Sequence, residues 1–281
     1  MTTIVQITDT HITGLDPQGQ PRLAYGKVDT YAALKRAVAH INASQDRFGG
    51  IDAVIATGDL VDLGSAEEYR SFREIVAPLA PPLLLLPGNH DDPSTLRAAF
   101  PEASYLPAKG PFLDYTVQIG AVQVIGLDTT VYGKSFGRLE PEQLDWLTAS
   151  LEASKDRPSL VFLHHPPFDT GIAHMDAQRL RNGEALLERL AGFDQLRLVA
   201  AGHVHRTITA TVSGIPCAIA PSTAHAVGLD LRPEGPSAFD LEPGGVLVHH
   251  WTGQAVTSHF SPTGPWDGPY PFYDGAGKLL T

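Results

Sequence analysis

Seven residues in five short blocks offer the chemistry in this sequence. They are Asp9 and His11 in Asp-x-His, Asp59 in Gly58-Asp59, Asn89 in Gly88-Asn89-His90-Asp91, His164 in His164-His165-Pro166-Pro167, and His203 and His205 in Gly202-His203-Val204-His205. Singly each block is weak, since about one Asp-x-His pair is expected by chance at this composition. Their placement says more: every block directly follows an apolar run that reads as a β-strand, and all the donors are carboxylate, amide oxygen or imidazole. Such a set suits divalent Mn, Fe, Co or Zn, and the absence of thiolate argues against a structural zinc site. Seven ligands exceed one site that must keep a position open and suit two sites sharing a carboxylate. Two ions about 3.5–4 Å apart can each take a phosphoryl oxygen and lower the pKa of a bridging water toward about 7. The chemistry expected is two-metal hydrolysis.

Composition narrows the substrate. With 20 Lys+Arg against 31 Asp+Glu, the formal charge is −11, which argues against gripping long nucleic acid or an anionic membrane. Phosphate chemistry is not excluded, since two bound divalent ions would concentrate positive charge in one crevice. The lone Cys217 can form neither an internal disulfide nor a thiolate cluster. Gly133-Lys134-Ser135 lacks the glycine spacing of a phosphate-binding loop, so an ATPase has little support. The N-terminus has no basic region, and the longest apolar run, Leu79–Pro87, carries three prolines. No signal peptide or membrane span is expected, and the cytoplasm is the expected location.

The elements that must position these blocks follow from periodicity. In the first two-thirds, short apolar runs (4–8, 52–56, 83–86) alternate with amphipathic ones, the pattern of an α/β architecture. Helices are predicted over 28–41, over 66–76 with Ser65 and Glu68 forming a capping box, over 141–153 and over 184–190. Runs 113–119 and 122–127 predict a hairpin turning at Gly120-Ala121. Strands are predicted over 160–163 and 196–201, and 207–212, 215–219, 238–241 and 245–251 read as antiparallel strands. In open α/β sheets ligands bind beyond the carboxyl ends of strands, where the five blocks would converge. No internal boundary is expected: residues 1–260 read as one domain, followed by a Pro/Gly-rich aromatic arm, 261–281, for packing or oligomer contact.

In this order the five blocks resemble the calcineurin-like metallophosphoesterase superfamily. Within it the chain is similar to bacterial class III cyclic-nucleotide phosphodiesterases and glycerophosphodiester phosphodiesterases. The stretches Tyr25–Asp29, Pro87–Asp92, His164–Pro167 and Gly171–Asp176 carry that likeness, which Asn182-Gly183 and Gly264-Pro265-Trp266 extend. The resemblance implies an α/β (α+β) fold, a four-layer αββα sandwich of two mixed β-sheets flanked by helices. It implies one metal held by Asp9, His11, Asp59 and His205, and a second held by Asp59, Asn89, His164 and His203, with Asp59 bridging. His90 corresponds to a histidine that contacts phosphate and helps protonate the leaving oxygen, and His225 to a second substrate-side histidine; Asn89 also faces substrate.

The expected activity is hydrolysis of glycerophosphodiesters, 3',5'-cyclic nucleotides such as cAMP, or similar small phosphodiesters. A phosphomonoesterase, a silent metal-binding scaffold and a nuclease are the alternatives. His165 is expected to support a ligand rather than ligate. Asp62 and Asp91 are read as orienting ligands or capping turns, and His174 and Asp176 as pocket lining or solvated loop. His40 is expected to be exposed, and His249 and His250 to face opposite sides of a strand. Assembly into a homo-oligomer is expected from the aromatic arm.

Overall fold

The computed structural model describes residues 1–275 and 277–280, so Ala276 and Thr281, both within the expected arm, lie outside the described residues. In chain order the first half comprises β1 (Thr2–Ile7), α1 (Thr30–Ala43), β2 (Ala53–Thr57), α2 (Ala66–Val76), β3 (Leu83–Leu86), α3 (Pro93–Ala99), β4 (Tyr115–Ile119) and β5 (Val122–Leu127). The second half comprises α4 (Pro141–Ala153), β6 (Ser159–Leu163), α5 (Ala173–Asp176), α6 (Gly183–Leu190), β7 (Leu196–Ala201), β8 (Ile208–Val212), β9 (Ile215–Ile219), β10 (Ala226–Val227), β11 (Phe239–Asp240), β12 (Gly245–Trp251) and β13 (Val256–Pro262). Two large mixed sheets result, one in the order β13-β12-β1-β2-β3 and the other β4-β5-β6-β7-β9-β8.

Alternation along the strands builds the layers. Leu160 and Phe162 of β6 join the core that also holds β1, β2, α1 and α2, while Val161 and Leu163 join a second core with Leu144, Leu147 and Leu151 of α4 and Leu186, Leu187 and Leu190 of α6. Successive strand side chains point to opposite faces, so one sheet can serve both cores. The result is helix, sheet, sheet, helix, as expected. Each fully buried Leu contributes about 1.5–3 kcal/mol. Between the sheets Gln6 Nε2 donates to Thr57 Oγ1 at 2.8 Å and to the Ala201 carbonyl at 3.0 Å, while its Oε1 lies 3.0 Å from His249 Nε2. This buried chain ties β1, β2, β7 and β12 in register.

The helices start where the sequence signals them. Asp29 accepts from Ala32 N at 2.9 Å to open α1. Ser65 Oγ accepts from Glu68 N while Glu68 Oε2 accepts from Ser65 N, the reciprocal capping box of α2. The hairpin β4–β5 turns at Gly120-Ala121 as expected.

Several expectations need correction. β9 is antiparallel to β8 but parallel to β7, so the last third is not purely antiparallel. The short α3, capped by Asp92 with Pro93 in its first turn, was not foreseen, because only Leu96 of its residues is buried and no apolar stripe marks it. β13 runs to Pro262, two residues into the segment read as an arm. His40 is half-buried rather than exposed, because Ser261 and Trp266 lie against it: its Nε2 is 2.8 Å from Ser261 Oγ and its ring 5.4 Å from the Trp266 ring. His249 and His250 do face opposite ways; His249 is buried against Gln6 and His250 reaches Thr3 Oγ1 at 3.0 Å. No described helix is long and apolar enough to cross a membrane.

Candidate metal centre

All five blocks sit at the carboxyl ends of strands: Asp9 and His11 after β1, Asp59 after β2, Asn89 and His90 after β3, His164 after β6, His203 and His205 after β7. The loops after β1 and β2 stay paired, with Asp9 N donating to Gly58 O at 3.0 Å and His11 N to Asp59 O at 2.9 Å. That pairing turns both loops sharply. Asp9, His11, Asp59, His203 and His205 all have positive φ, between 42° and 71°. Non-glycine residues seldom adopt this conformation, and each such residue stores about 1–3 kcal/mol that the surrounding structure must hold. Five strained residues among seven candidate ligands mark this as the place where fold stability is traded for geometry.

The glycines are equally constrained. A Cβ on Gly88 would lie 2.3 Å from both Asp59 N and Asp59 Oδ1, and one on Gly58 would lie 2.4 Å from His164 Nδ1. The Gly in Gly-Asp and Gly-Asn is thus required for close approach of these loops to each other.

Donor atoms of Asp9, His11, Asp59 and His205 lie within 4.8 Å of one another, as do those of His164, His165 and His203. Asp59 Oδ2 stands between the two groups, 3.6 Å from His11 Nε2 and 3.4 Å from His164 Nε2, while its Oδ1 accepts from His90 N at 2.9 Å. His205 Nε2 is 3.2 Å from both Asp9 Oδ1 and His11 Nε2. His164 Nδ1 bonds the Thr57 carbonyl at 2.8 Å, which leaves Nε2 as the nitrogen that faces Asp59. Asp9 Oδ2 is held by His203 N at 2.9 Å, and the Asp9 carbonyl by Ser222 Oγ at 2.8 Å.

Divalent cations fit this donor set. Asp9 Oδ1, Asn89 Oδ1, His164 Nε2 and His203 Nε2 are buried and make no hydrogen bond, which costs about 1–3 kcal/mol for each group unless something else satisfies it. His165 differs: Nδ1 lies 2.8 Å from Thr129 Oγ1 and Nε2 3.2 Å from the Ser135 carbonyl, so both nitrogens are engaged and it packs beside His203 as a support.

Charge is distributed to match. Burial opposes ionisation of Asp9 and Asp59, but His205 beside the first and His164, His90 and His11 around the second overcome it. Asp9 is drawn down to about 2, and Asp59 is held well below the carboxylate range. Burial pushes His11 down and, with His164 nearby, takes His203 to about 3, so both rings are neutral with a lone pair to offer. His164 is pushed the other way, to about 9: burial lowers it, but Asp59, Asp9 and the Thr57 carbonyl together outweigh burial, so its Nε2 faces Asp59 with a proton that a bound cation would displace.

His90 and His225 are driven apart. Burial disfavours a charge on His90, but Asp59, Asp62 and Asp91 prevail and raise its pKa; its Nδ1 lies 2.8 Å from the Asp62 carbonyl. Burial, with His205 and His11 close by, takes His225 to about 2. One imidazole can therefore carry a proton while the other stays neutral. Asp62 also approaches His11 Nδ1 at 3.7 Å. Asp91 accepts from Leu60 N, Gly88 N and Tyr69 OH at 2.7–3.0 Å, which fixes the loops after β2 and β3 together.

A cavity of about 350 Å³ opens over the centre, lined in part by His11, Tyr25, Asn89, His90, His174 and His225. His174 thus lines the pocket, whereas Asp176 is spent on its own loop, accepting from Thr170 and Gly171. Gln178 and Phe239 also line it and were not foreseen, since they come from short, aperiodic segments, while Met175 gave a signal only as part of the Gly171–Asp176 likeness. Tyr25, 5.5 Å from His225 and at φ 51°, gave a signal only through the Tyr25–Asp29 likeness.

Comparison with known proteins agrees with this geometry. The chain is 40% identical over 279 residues to a probable glycerophosphodiester phosphodiesterase GpdQ of Arcobacter nitrofigilis, covering 99% of each. It is 35% identical over 220 residues to the 3',5'-cyclic adenosine monophosphate phosphodiesterase CpdA of Pseudomonas aeruginosa, covering 78% of this chain and 75% of the other. A dimetal phosphatase from Danio rerio shares the fold at a TM-score of 0.70 and 16% identity, over 93% of this chain and 96% of that one. The family model of calcineurin-like phosphoesterases matches residues 2–207, a span that contains all five blocks, and the chain belongs to that family.

Proposed function

We propose that the protein is a binuclear metal-dependent phosphodiesterase acting on small phosphodiesters, namely glycerophosphodiesters or 3',5'-cyclic nucleotides such as cAMP. The observation that carries this reading is the position of Asp59 Oδ2 between two groups of buried donors, several without hydrogen bonds. The phosphodiesterase activities for which the relatives are named support the diester over the monoester. Asp9, His11, Asp59 and His205 would hold one divalent ion, and Asp59, Asn89, His164 and His203 the other. Mn, Fe, Zn and Co all accept these donors. Such a pair supplies Lewis-acid charge to a phosphoryl oxygen and acidifies water.

The chain's own residues do the rest. Asn89 and His90 border the phosphate, and His90, its Nδ1 turned to the Asp62 carbonyl, presents its other nitrogen to the leaving oxygen as proton donor. His225, neutral and 4.5 Å from the His205 ring, faces the substrate as a hydrogen-bonding group. The same proposal takes residues 1–260 as the catalytic domain, 261–281 as an arm for packing or homo-oligomer contact, and the cytoplasm as location.

The test is a panel of glycerophosphoethanolamine, cAMP, bis(p-nitrophenyl) phosphate and simple monoesters on Mn-reconstituted protein. Hydrolysis of diesters in preference to monoesters is expected. Turnover of monoesters alone, or bound metal with no turnover, would overturn it.

A further inference from the structure

Two aromatic side chains in the wall of the active-site cavity take no part in metal binding or proton transfer. Tyr25 and Phe239 both line that cavity, with ring centroids 5.1 Å apart, and the His225 ring stands edge-on to both, 5.5 Å from the first and 5.6 Å from the second. Distant segments bring them together. β10 and β11 pair Val227 with Phe239, which sets the phenyl ring beside His225 at the start of β10. Tyr25 is held at φ 51° in a turn where Ala24 N donates to Val28 O and Val28 N to Ala24 O, both at 2.9 Å. The ring so presented is 54% exposed and fills no core. A strained non-glycine backbone that holds an apolar ring in water beside a reaction centre points to a ligand.

The chemistry of the rings narrows what they can hold. Burial, with Asp62, Asp59 and Asp9 near, pushes the Tyr25 hydroxyl up to about 12, so it is a neutral phenol in a negative field. Of those three acids Asp62 is outside the proposed ligand set, and its charge persists when ions occupy the centre. The described residues lining the cavity include no lysine or arginine. A phosphodiester turns its own charge to the ions, and an arm reaching these rings meets no cationic side chain of that kind. At 5.1 Å the Tyr25 and Phe239 rings are already in contact, so no planar base fits between them. A compact organic cation needs neither a slot nor a hydrogen-bond acceptor. It lies against the ring faces and is drawn to their negative quadrupole.

We infer that Tyr25 and Phe239 form a subsite for a quaternary ammonium group, which makes choline the alcohol arm this site prefers. The inference rests on the phosphodiesterase reading and deepens it: among glycerophosphodiesters, the two rings select glycerophosphocholine over an arm of the same shape without charge.

The experiment measures kcat/KM on Mn-reconstituted enzyme for glycerophosphocholine and for its carbon isostere, in which a tert-butyl group replaces trimethylammonium. Loss of the diester is followed by phosphorus NMR. The arms share one shape, so the ratio, choline over isostere, reads the charge alone. Wild type should favour choline about ten-fold, chiefly through KM, as two ring faces around one cation allow. In Tyr25→Leu/Phe239→Leu the ratio should fall to within two-fold of one, whereas Tyr25→Phe, which keeps the ring, should hold the wild-type value. A wild-type ratio below two-fold overturns the subsite whether or not the variants fold, and so does a double variant that keeps the wild-type ratio. A double variant that loses more activity on cAMP than on glycerophosphocholine also overturns it, since the rings then serve a base. Wild type that hydrolyses no diester overturns the phosphodiesterase reading as well, whereas wild type active on both esters without preference overturns the subsite alone.

Discussion

Replacing Gly88 by alanine tests whether the glycines of the metal-side loops serve close approach. The added methyl would stand 2.3 Å from Asp59 N and Oδ1 and 2.8 Å from His164 Cε1. Contacts under 3.0 Å are essentially never seen for a real Cβ, so the loop after β2 must withdraw by about 0.7 Å, and Asp59 moves with it. A misplacement near 1 Å at a reacting centre costs about 100-fold in rate. We expect kcat/KM for bis(p-nitrophenyl) phosphate to fall on the order of 50-fold, with less than two ions retained per chain. Overpacking costs about 1–3 kcal/mol, which for a chain of this length lowers Tm by about 2–5 °C and leaves it folded. Gly192→Ala is the control, since nothing lies within 4 Å of its added methyl. Gly88→Ala with two bound ions and activity within three-fold of wild type would refute the reasoning.

Other consequences are as direct. His90→Ala should slow diesters with alkoxide leaving groups about 100-fold or more but nitrophenolate esters far less, because nitrophenolate needs no proton; equal losses in steady-state assays would remove its role as acid. Asp114 is raised to about 7, chiefly by burial, so the native state holds a proton that the unfolded chain releases near pH 4. Stability should therefore decline as pH rises from about 4 to 7, and Asp114→Asn should flatten that slope in melts across this range; an unchanged slope contradicts it. His249→Leu strips Gln6 Oε1 and Ser258 Oγ of their partner, and about 1–3 kcal/mol, or 2–5 °C in Tm, should be lost by calorimetry. Chelation should lower Tm by about 9 °C relative to both sites held at 100-fold over their Kd, reversibly on adding Mn; a Tm indifferent to metal would speak against the centre.

How far the sequence foretells the structure depends on where regularity is local. The α2 bounds and its capping box follow from Ser65, Glu68 and the stripe Tyr69, Phe72, Val76, and the structure reproduces them. The five blocks were legible because buried strands read as apolar runs and the chemistry follows each at once. What the sequence hides is set by long-range pairing or loop geometry. The parallel pairing of β9 with β7 depends on the path through β8, which no period records. β13 is mostly exposed and polar along Val256–Pro262, so its alternation is faint. The site was legible in its donors and, among its walls, in His174 and His225, but not in Phe239 and Gln178, which reach the pocket from a two-residue element and a loop. Nor could spacing show that Asp59 turns a single oxygen, Oδ2, toward both donor groups while Oδ1 is spent on His90 N.

The central claim is that two ions sharing Asp59 perform diester hydrolysis. Its most direct test is to add Mn stepwise to chelated protein, with bound metal by mass spectrometry and bis(p-nitrophenyl) phosphate hydrolysis read on the same samples. The account predicts saturation at two ions per chain, with activity developing as the second binds, and a single ion at most in Asp59→Asn. Full activity at one ion per chain, or two tightly bound ions with no hydrolysis, would contradict it.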